Sequence, residues 1–64
     1  MPTFNSTAIH RAEYDPLSRR MQLWFADGGK YDFCGVPANI FEGLCAASSK
    51  GRYYHAFIRD RYQC

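Results

Sequence analysis

The spacing of apolar residues changes near Pro37, and this change constrains the fold more than any other feature of the sequence. Before it, apolar and polar residues alternate, most clearly from Met21 to Phe25, as in a strand with one buried face. After it, apolar residues recur at helical spacing. Because all the helical apolar surface follows the strands, we expect both helices to cover one sheet face. The pattern predicts an α+β domain with the order β-β-β-α-α.

Turn signals divide the first half of the chain into three strands, at about 7–14, 21–25 and 31–34. Asp15 and Pro16 suit the first two positions of a type I turn. Asp27-Gly28-Gly29 suits a tight hairpin, because glycine accepts the backbone conformation that such turns require. Connections this short join antiparallel neighbours, so the strands should form an antiparallel meander.

Alternation also predicts which sheet face each side chain occupies. Leu23 and Phe25 share the buried face, and Tyr31 and Phe33 should join them. In the first strand, Ile9 falls on the opposite face from Ala12 unless a bulge intervenes. The open face would carry Gln22, Trp24 and Asp32.

Two helices are predicted in the second half of the chain. The first begins at Val36–Pro37 with proline at the first helical position, and Gly43 would let it pack closely on the sheet. Ser48 or Ser49 can cap the second helix, which should run over about residues 50–61. The predicted core combines apolar positions of strands and helices: Leu23, Phe25, Phe33, Ile40, Phe41, Leu44, Tyr54 and Ile58.

The chain of 64 residues is long enough for one domain. We assign residues 1–6 to a flexible lead-in and residues 7–62 to the domain. A domain of this size buries only about 60% of the surface that its unfolded chain exposes. Aromatic residues, which make up 17% of the sequence, offset this because each buries a large area.

Cysteine usage and the absence of apolar runs bear on location. Cys34, Cys45 and Cys64 leave at least one thiol unpaired, and we expect all three to be free; a Cys34–Cys45 disulfide is the alternative. Their spacing does not match a zinc site, so no metal is expected. No apolar run could span a bilayer, and residues 1–6 lack the pattern of a signal peptide. With free thiols, this predicts a cytoplasmic protein.

Aromatic, glycine and proline positions occur in an order that resembles a known family. They are Tyr14-Asp15, the strand from Leu23 to Phe25, Gly29, Tyr31-Asp32-Phe33, Val36-Pro37 and the run from Ser49 to Tyr54, then Ile58 and Tyr62. The set is similar to the KTSC domain, a short module named for its place at the C-terminus of some lysyl-tRNA synthetases and also found as stand-alone bacterial and phage proteins. The family's central motif is usually Tyr-any-Tyr, so Phe33 lacks the second hydroxyl. The attachment to a synthetase implies RNA binding.

Positive charge is concentrated in the last quarter of the chain, among aromatic residues. Residues 49–64 carry a net charge of +3, whereas residues 1–48 carry −1. Cations neutralise phosphates, and aromatic rings stack on unpaired bases. In a helix that reaches residue 61, Arg52, His55 and Arg59 would share one face. The sequence therefore predicts an RNA-binding module, and its candidate contacts are Lys50, Arg52, His55, Arg59 and Arg61.

Trp24 supports an alternative function. It lies opposite Leu23 and Phe25 in the alternation, and a large aromatic side chain on an open sheet face usually marks contact with a partner. The chain would then bind another protein, or a second copy of itself, through Trp24, unless Phe4 covers the ring.

Signals of catalysis are weak. His10 and His55 could act together as acid and base, but no spacing in the sequence brings them together. Asp27-Gly28-Gly29 lacks the pattern of a phosphate-binding loop. We therefore expect a non-catalytic protein without a cofactor.

Overall fold

The computed structural model describes residues 3–64 and has the predicted architecture. Three strands, β1 (Ile9–Asp15), β2 (Arg20–Phe25) and β3 (Lys30–Phe33), form one antiparallel sheet in the order β1-β2-β3. Two helices follow, α1 (Ala38–Ala46) and α2 (Lys50–Phe57). The α+β class and the order β-β-β-α-α are therefore confirmed.

The predicted lead-in, residues 1–6, is described only in part, because residues 1 and 2 lie outside the described residues. Thr3 pairs with Arg11 of β1, and the amide of Phe4 donates to the carbonyl of His10 at 2.7 Å. The ring of Phe4 packs against the core. Residues 3 and 4 thus run alongside β1.

Side-chain hydrogen bonds stabilise the first turn of the meander, and a glycine conformation allows the second. In the first turn, the carboxylate of Asp15 accepts from the amide of Leu17 at 3.0 Å and from the hydroxyl of Ser18 at 2.9 Å. These hydrogen bonds favour the charged form and lower the pKa of Asp15 below its ordinary value. In the second turn, Gly28 has a φ of 98°, which glycine adopts without steric cost.

A β-bulge in β1 resolves the uncertain face of Ile9. The register shifts between Ile9, which pairs with Phe25, and Arg11, which pairs with Trp24. The extra residue restores Ile9 to the same face as Ala12, and both are fully buried.

The core lies between the sheet and the two helices, which share one sheet face as predicted. α1 covers β1, where the rings of Phe41 and Tyr14 stack with centroids 5.0 Å apart. α2 covers β2 and β3, because the ring of Tyr54 meets those of Phe25 and Phe33 edge to face.

The predicted core residues divide into two sets. The first set is buried and consists of Leu23, Phe33, Leu44 and Ile58. The second set is half-buried around the first and consists of Phe25, Ile40, Phe41 and Tyr54. The predicted core omitted residues that are fully buried, namely Ile9, Ala12, Met21 and Val36. The core is therefore centred closer to β1 and to the loop before α1 than predicted.

Both helices differ from the prediction at their ends. α1 begins at Ala38 because Pro37 is extended, with a ψ of 148°, and forms the N-cap instead of the first helical residue. α2 ends at Phe57 and not at residue 61. There the amide of Ile58 donates to the carbonyl of Tyr54, and two residues later Asp60 turns the chain with a φ of 61°.

Gly43 packs closely, as predicted, but against α2 and not the sheet. A Cβ atom at this position would overlap the ring and hydroxyl of Tyr53. Burial in this contact, together with the nearby Tyr62 hydroxyl, raises the pKa of Tyr53. Glycine therefore lets α1 and α2 approach each other.

We expect Gly43→Ala to destabilise the domain by about 1–3 kcal/mol, because overlap with Tyr53 outweighs a gain of roughly 1 kcal/mol in helix propensity. Urea unfolding followed by circular dichroism measures the change. In a Tyr53→Ala background the same substitution should be neutral or stabilising, since the ring is gone. A Gly43→Ala variant more stable than the parent would contradict this packing.

The expectation of free thiols is wrong, because Cys34 and Cys64 form a disulfide across a sequence separation of 30. The C-terminal segment returns to the edge of β3, where Gln63 pairs with Phe33 and the amide of Cys34 donates to the carbonyl of Tyr62 at 2.8 Å. This pairing brings the two cysteines together. One of the grounds for a reducing compartment is therefore lost.

The alternative Cys34–Cys45 disulfide is wrong as well, since Cys45 is free and half-buried in α1. Burial raises the pKa of its thiol, although the nearby Lys50 ammonium opposes the shift. The thiol therefore stays protonated at neutral pH, which makes it a weak nucleophile.

Candidate nucleic-acid interface

The exposed basic side chains of the C-terminal quarter lie on α2 and the turn after it. Arg52 and His55 belong to α2, whereas Arg59 and Arg61 follow its end. All four side chains are exposed. We call these four residues the basic surface.

His55 and Arg59 remain neighbours although the helix ends between them. The guanidinium of Arg59 lies 3.2 Å from Nδ1 of His55, so the one-face arrangement of these two residues survives the shorter helix. Asp60 lies 3.8 Å from the Nε of Arg59. Both partners are largely exposed, and such a pair contributes little. Arg59 therefore keeps its charge available to a ligand.

Lys50 has a structural position that the sequence did not reveal. Its ammonium donates to the carbonyls of Cys45 at 2.9 Å and Ala47 at 2.6 Å, at the end of α1. It also lies 4.8 Å from the centre of the Phe4 ring. A cation at a helix C-terminus is stabilised by the exposed carbonyls. Contact between Lys50 and a phosphate would compete with these bonds.

The side chain of Ser49 caps the N-terminus of α2. The hydroxyl of Ser49 accepts from the amide of Arg52 at 3.3 Å, so Ser49 and not Ser48 is the N-cap. Gly51 faces Ala8, where a Cβ atom would come within 3.1 Å of the alanine methyl. The cap and this contact fix the position from which Arg52 and His55 project.

Trp24 lies on the sheet face that the helices leave open, but it is half-buried there. The guanidinium of Arg11 lies 4.7 Å from the ring centre, and the ammonium of Lys30 lies 5.6 Å from it. Both flank Trp24 from the neighbouring strands. The ring is therefore part of a cation–π row and not of an uncharged apolar patch. Phe4, which could have covered it, packs against the core instead.

Two large aromatic side chains, Tyr31 and Phe57, are exposed. Tyr31 was expected in the core, but it is 56% exposed at the rim of β3. Phe57 is 48% exposed and packs on Tyr53 with ring centroids 4.7 Å apart. Phe33, which replaces the second tyrosine of the family motif, is buried. A packing role explains a phenylalanine at that position.

The histidines occupy separate elements. His10 lies exposed at the bulge of β1, while His55 on α2 contacts the ring of Tyr54 and the side chain of Arg59. Within residues 3–64, no three side chains of the metal-binding types cluster. No helix in the same range is long and apolar enough to cross a membrane.

Comparison with known proteins identifies relatives along nearly the whole chain. The family model of the KTSC domain matches residues 5–62. A protein of Tsukamurella paurometabola is 35% identical over 63 residues, which cover 98% of this chain and 94% of that protein. The crystal structure of a KTSC domain protein from Yersinia pestis has a TM-score of 0.93 at 30% identity, over 98% of this chain and 89% of that one.

Lysine–tRNA ligases are also similar to this chain. The ligase of a Nostoc species is 36% identical over 55 residues, and that of Trichormus variabilis is 31% identical over 55 residues. Each match covers 86% of this chain but only 10% of the ligase. The chain therefore corresponds to a small part of each ligase.

Proposed function

Because the chain belongs to the KTSC domain family, we propose that it is a small non-catalytic module that binds RNA through the basic surface. The observations that carry this proposal are the exposure of Arg52, His55, Arg59 and Arg61, and the contact between the side chains of His55 and Arg59. Basic side chains on a helix and its following turn can meet the phosphates of one strand.

The relatives support RNA as the partner. Lysine–tRNA ligases are named for a reaction on tRNA, and they contain a segment similar to this chain. A domain shared between such enzymes and short proteins is suited to a binding task that both need. RNA also offers unpaired bases, on which the exposed ring of Phe57 could stack.

The surroundings of Trp24 favour RNA over the alternative, a protein-interaction or self-association surface. A docking site for an apolar partner requires an uncharged apolar patch. Arg11 and Lys30 flank Trp24 instead, and Glu13 pairs with Arg11, so this face is charged and not an uncharged apolar patch.

A cytoplasmic location is part of the same proposal, because the proposed partner, RNA, is found there. The Cys34–Cys64 disulfide weighs against a reducing compartment. The redox state of these two cysteines in cells, measured by thiol labelling after acid quenching, tests the location directly.

We expect the parent protein to shift in backbone NMR spectra on titration with tRNA or single-stranded RNA at low salt. Affinity should fall steeply with salt, by about 0.7 in the log–log slope for each single-strand phosphate neutralised. Arg52→Ala with Arg59→Ala should weaken binding and leave the fold intact, because both side chains are exposed.

The matched control is Arg19→Ala with Arg20→Ala, which removes the same charge from the end of the first turn and the first residue of β2. It should bind RNA nearly as well as the parent. Equal binding by the Arg52 and Arg59 variant, or no shift with any RNA at low salt, would rule out the proposal. Loss of protein association on replacing Trp24 would then support the alternative.

A further inference from the structure

A cleft separate from the basic surface lies between β3, the end of α2 and the C-terminal segment. Its volume is about 360 Å³, within the range of about 300–1,000 Å³ typical of small-molecule sites. Aromatic rings form much of its lining, from Tyr31, Phe33 and Tyr54. The face of an aromatic ring is electron-rich and attracts cations.

The charged residues that line this cleft are both acidic, although the whole chain has a net charge of +2. They are Asp32 of β3, whose carboxylate turns toward Arg20, and Asp60 of the turn after α2. Arg20 and Arg59 lie 3.8 Å from these carboxylates, but all four side chains are well exposed and neither arginine lines the cleft. Such pairs hold their partners weakly and yield to a better-placed cation.

Two features keep the walls of the cleft in position. Asp60 sits at a backbone φ of 61°, in the turn fixed by the end of α2. Gln63 is held against Phe33 by strand pairing, next to the Cys34–Cys64 disulfide. The backbone that carries these side chains is therefore held in place, which reduces the entropy lost when a ligand binds.

The phenol of Tyr54 is neutral in this setting. Burial raises its pKa, and the proximity of Asp60 and Tyr31 adds to the shift against the opposing effect of Arg59. The cleft thus combines uncharged rings with the carboxylate of Asp60.

We propose that this cleft binds the ammonium group of an organic cation, either a small quaternary amine or a lysine side chain. The rings of Tyr31 and Tyr54 supply cation–π contacts, and Asp60 supplies the opposite charge. This cleft and the basic surface have no residue in common, although Asp60 of the cleft pairs with Arg59 of the basic surface where the two adjoin.

The test is an NMR titration of the oxidised full chain with choline and with 3,3-dimethylbutan-1-ol, its uncharged isostere of the same shape. Choline should cause saturable shifts at the amides of Tyr31, Tyr54 and Gln63, while the alcohol should cause none at equal concentration. Tyr31→Ala or Asp60→Asn should weaken choline binding at least about threefold. The control Asp27→Asn, an acid outside the cleft, should leave it unchanged.

A second titration, with Nα-acetyl-lysine N-methylamide as a model of a lysine side chain, identifies the source of the ammonium group. Tighter binding than choline assigns the site to lysine side chains, and weaker binding assigns it to quaternary amines. Equal shifts with the uncharged alcohol, shifts spread away from the cleft, or no effect of Asp60→Asn would overturn the proposal. None of these outcomes depends on whether RNA binds.

Discussion

Replacing Leu44 or Ile58 with alanine should lower the free energy of unfolding by about 2–5 kcal/mol. Both side chains are completely buried, Leu44 in α1 and Ile58 at the end of α2. Truncation removes apolar contacts and leaves a cavity that a close-packed interior fills poorly. Small domains have only about 5 kcal/mol of stability in reserve, so either variant loses a large part of it.

Urea unfolding of each variant, compared with Leu17→Ala, measures this loss. Leu17 is 95% exposed in the turn between β1 and β2, so the same chemical change should alter stability by no more than about 0.5 kcal/mol. If both core variants lost less than about 0.5 kcal/mol, the positions assigned to the two helices would be wrong.

The elements of this fold are readable from the sequence because each follows from local chemistry. The alternation from Met21 to Phe25 predicts a strand by its two-residue period alone. Gly28 predicts a tight turn because glycine accepts the positive φ found there. The bulge beside Ile9 was recognised as an option. Choosing it required the register with β2, which is a contact between distant residues.

The helical spacing of apolar residues overestimates the length of α2, because this spacing continues beyond the last helical residue. Ile58 remains buried although the helix stops at Phe57, since the C-cap keeps it on the same side as Tyr54. Periodicity reports which side chains face the core, and it does so even in the turn after the last helical residue. The aspartate at position 60 was the sequence signal that the helix ends before it. Asp60 has a φ of 61°, and aspartate tolerates this conformation better than most residues.

The candidate site was only partly accessible to the same reasoning. Arg52, His55 and Arg59 can be proposed from the sequence because they lie close together along the chain, and the side chains of His55 and Arg59 do meet. The role of Lys50 at the end of α1 and the cations around Trp24 depend on how elements pack. The acidic lining of the cleft joins β3 to the C-terminal turn, so no spacing along the chain could reveal it.

Cys64→Ser should destabilise the domain by about 2–4 kcal/mol, because the lost crosslink no longer restricts the unfolded chain. The bond spans a sequence separation of 30, nearly half the protein. It also holds the C-terminal segment on the edge of β3, where the amide of Cys34 donates to Tyr62. A loss of this size should lower the thermal midpoint by about 10 °C or more.

A reductant should lower the midpoint of the parent in the same way and leave that of Cys64→Ser unchanged. Cys45→Ser is the matched control, since Cys45 is free, and this variant should keep the full response to reductant. Hydrogen exchange at the amide of Cys34 should accelerate on reduction, because its partner Tyr62 is then released. A parent protein indifferent to reductant would show that folding does not use the disulfide. Loss of the response in Cys45→Ser instead would show that Cys45 takes part in the crosslink, and the C-terminal segment would then need another attachment to β3.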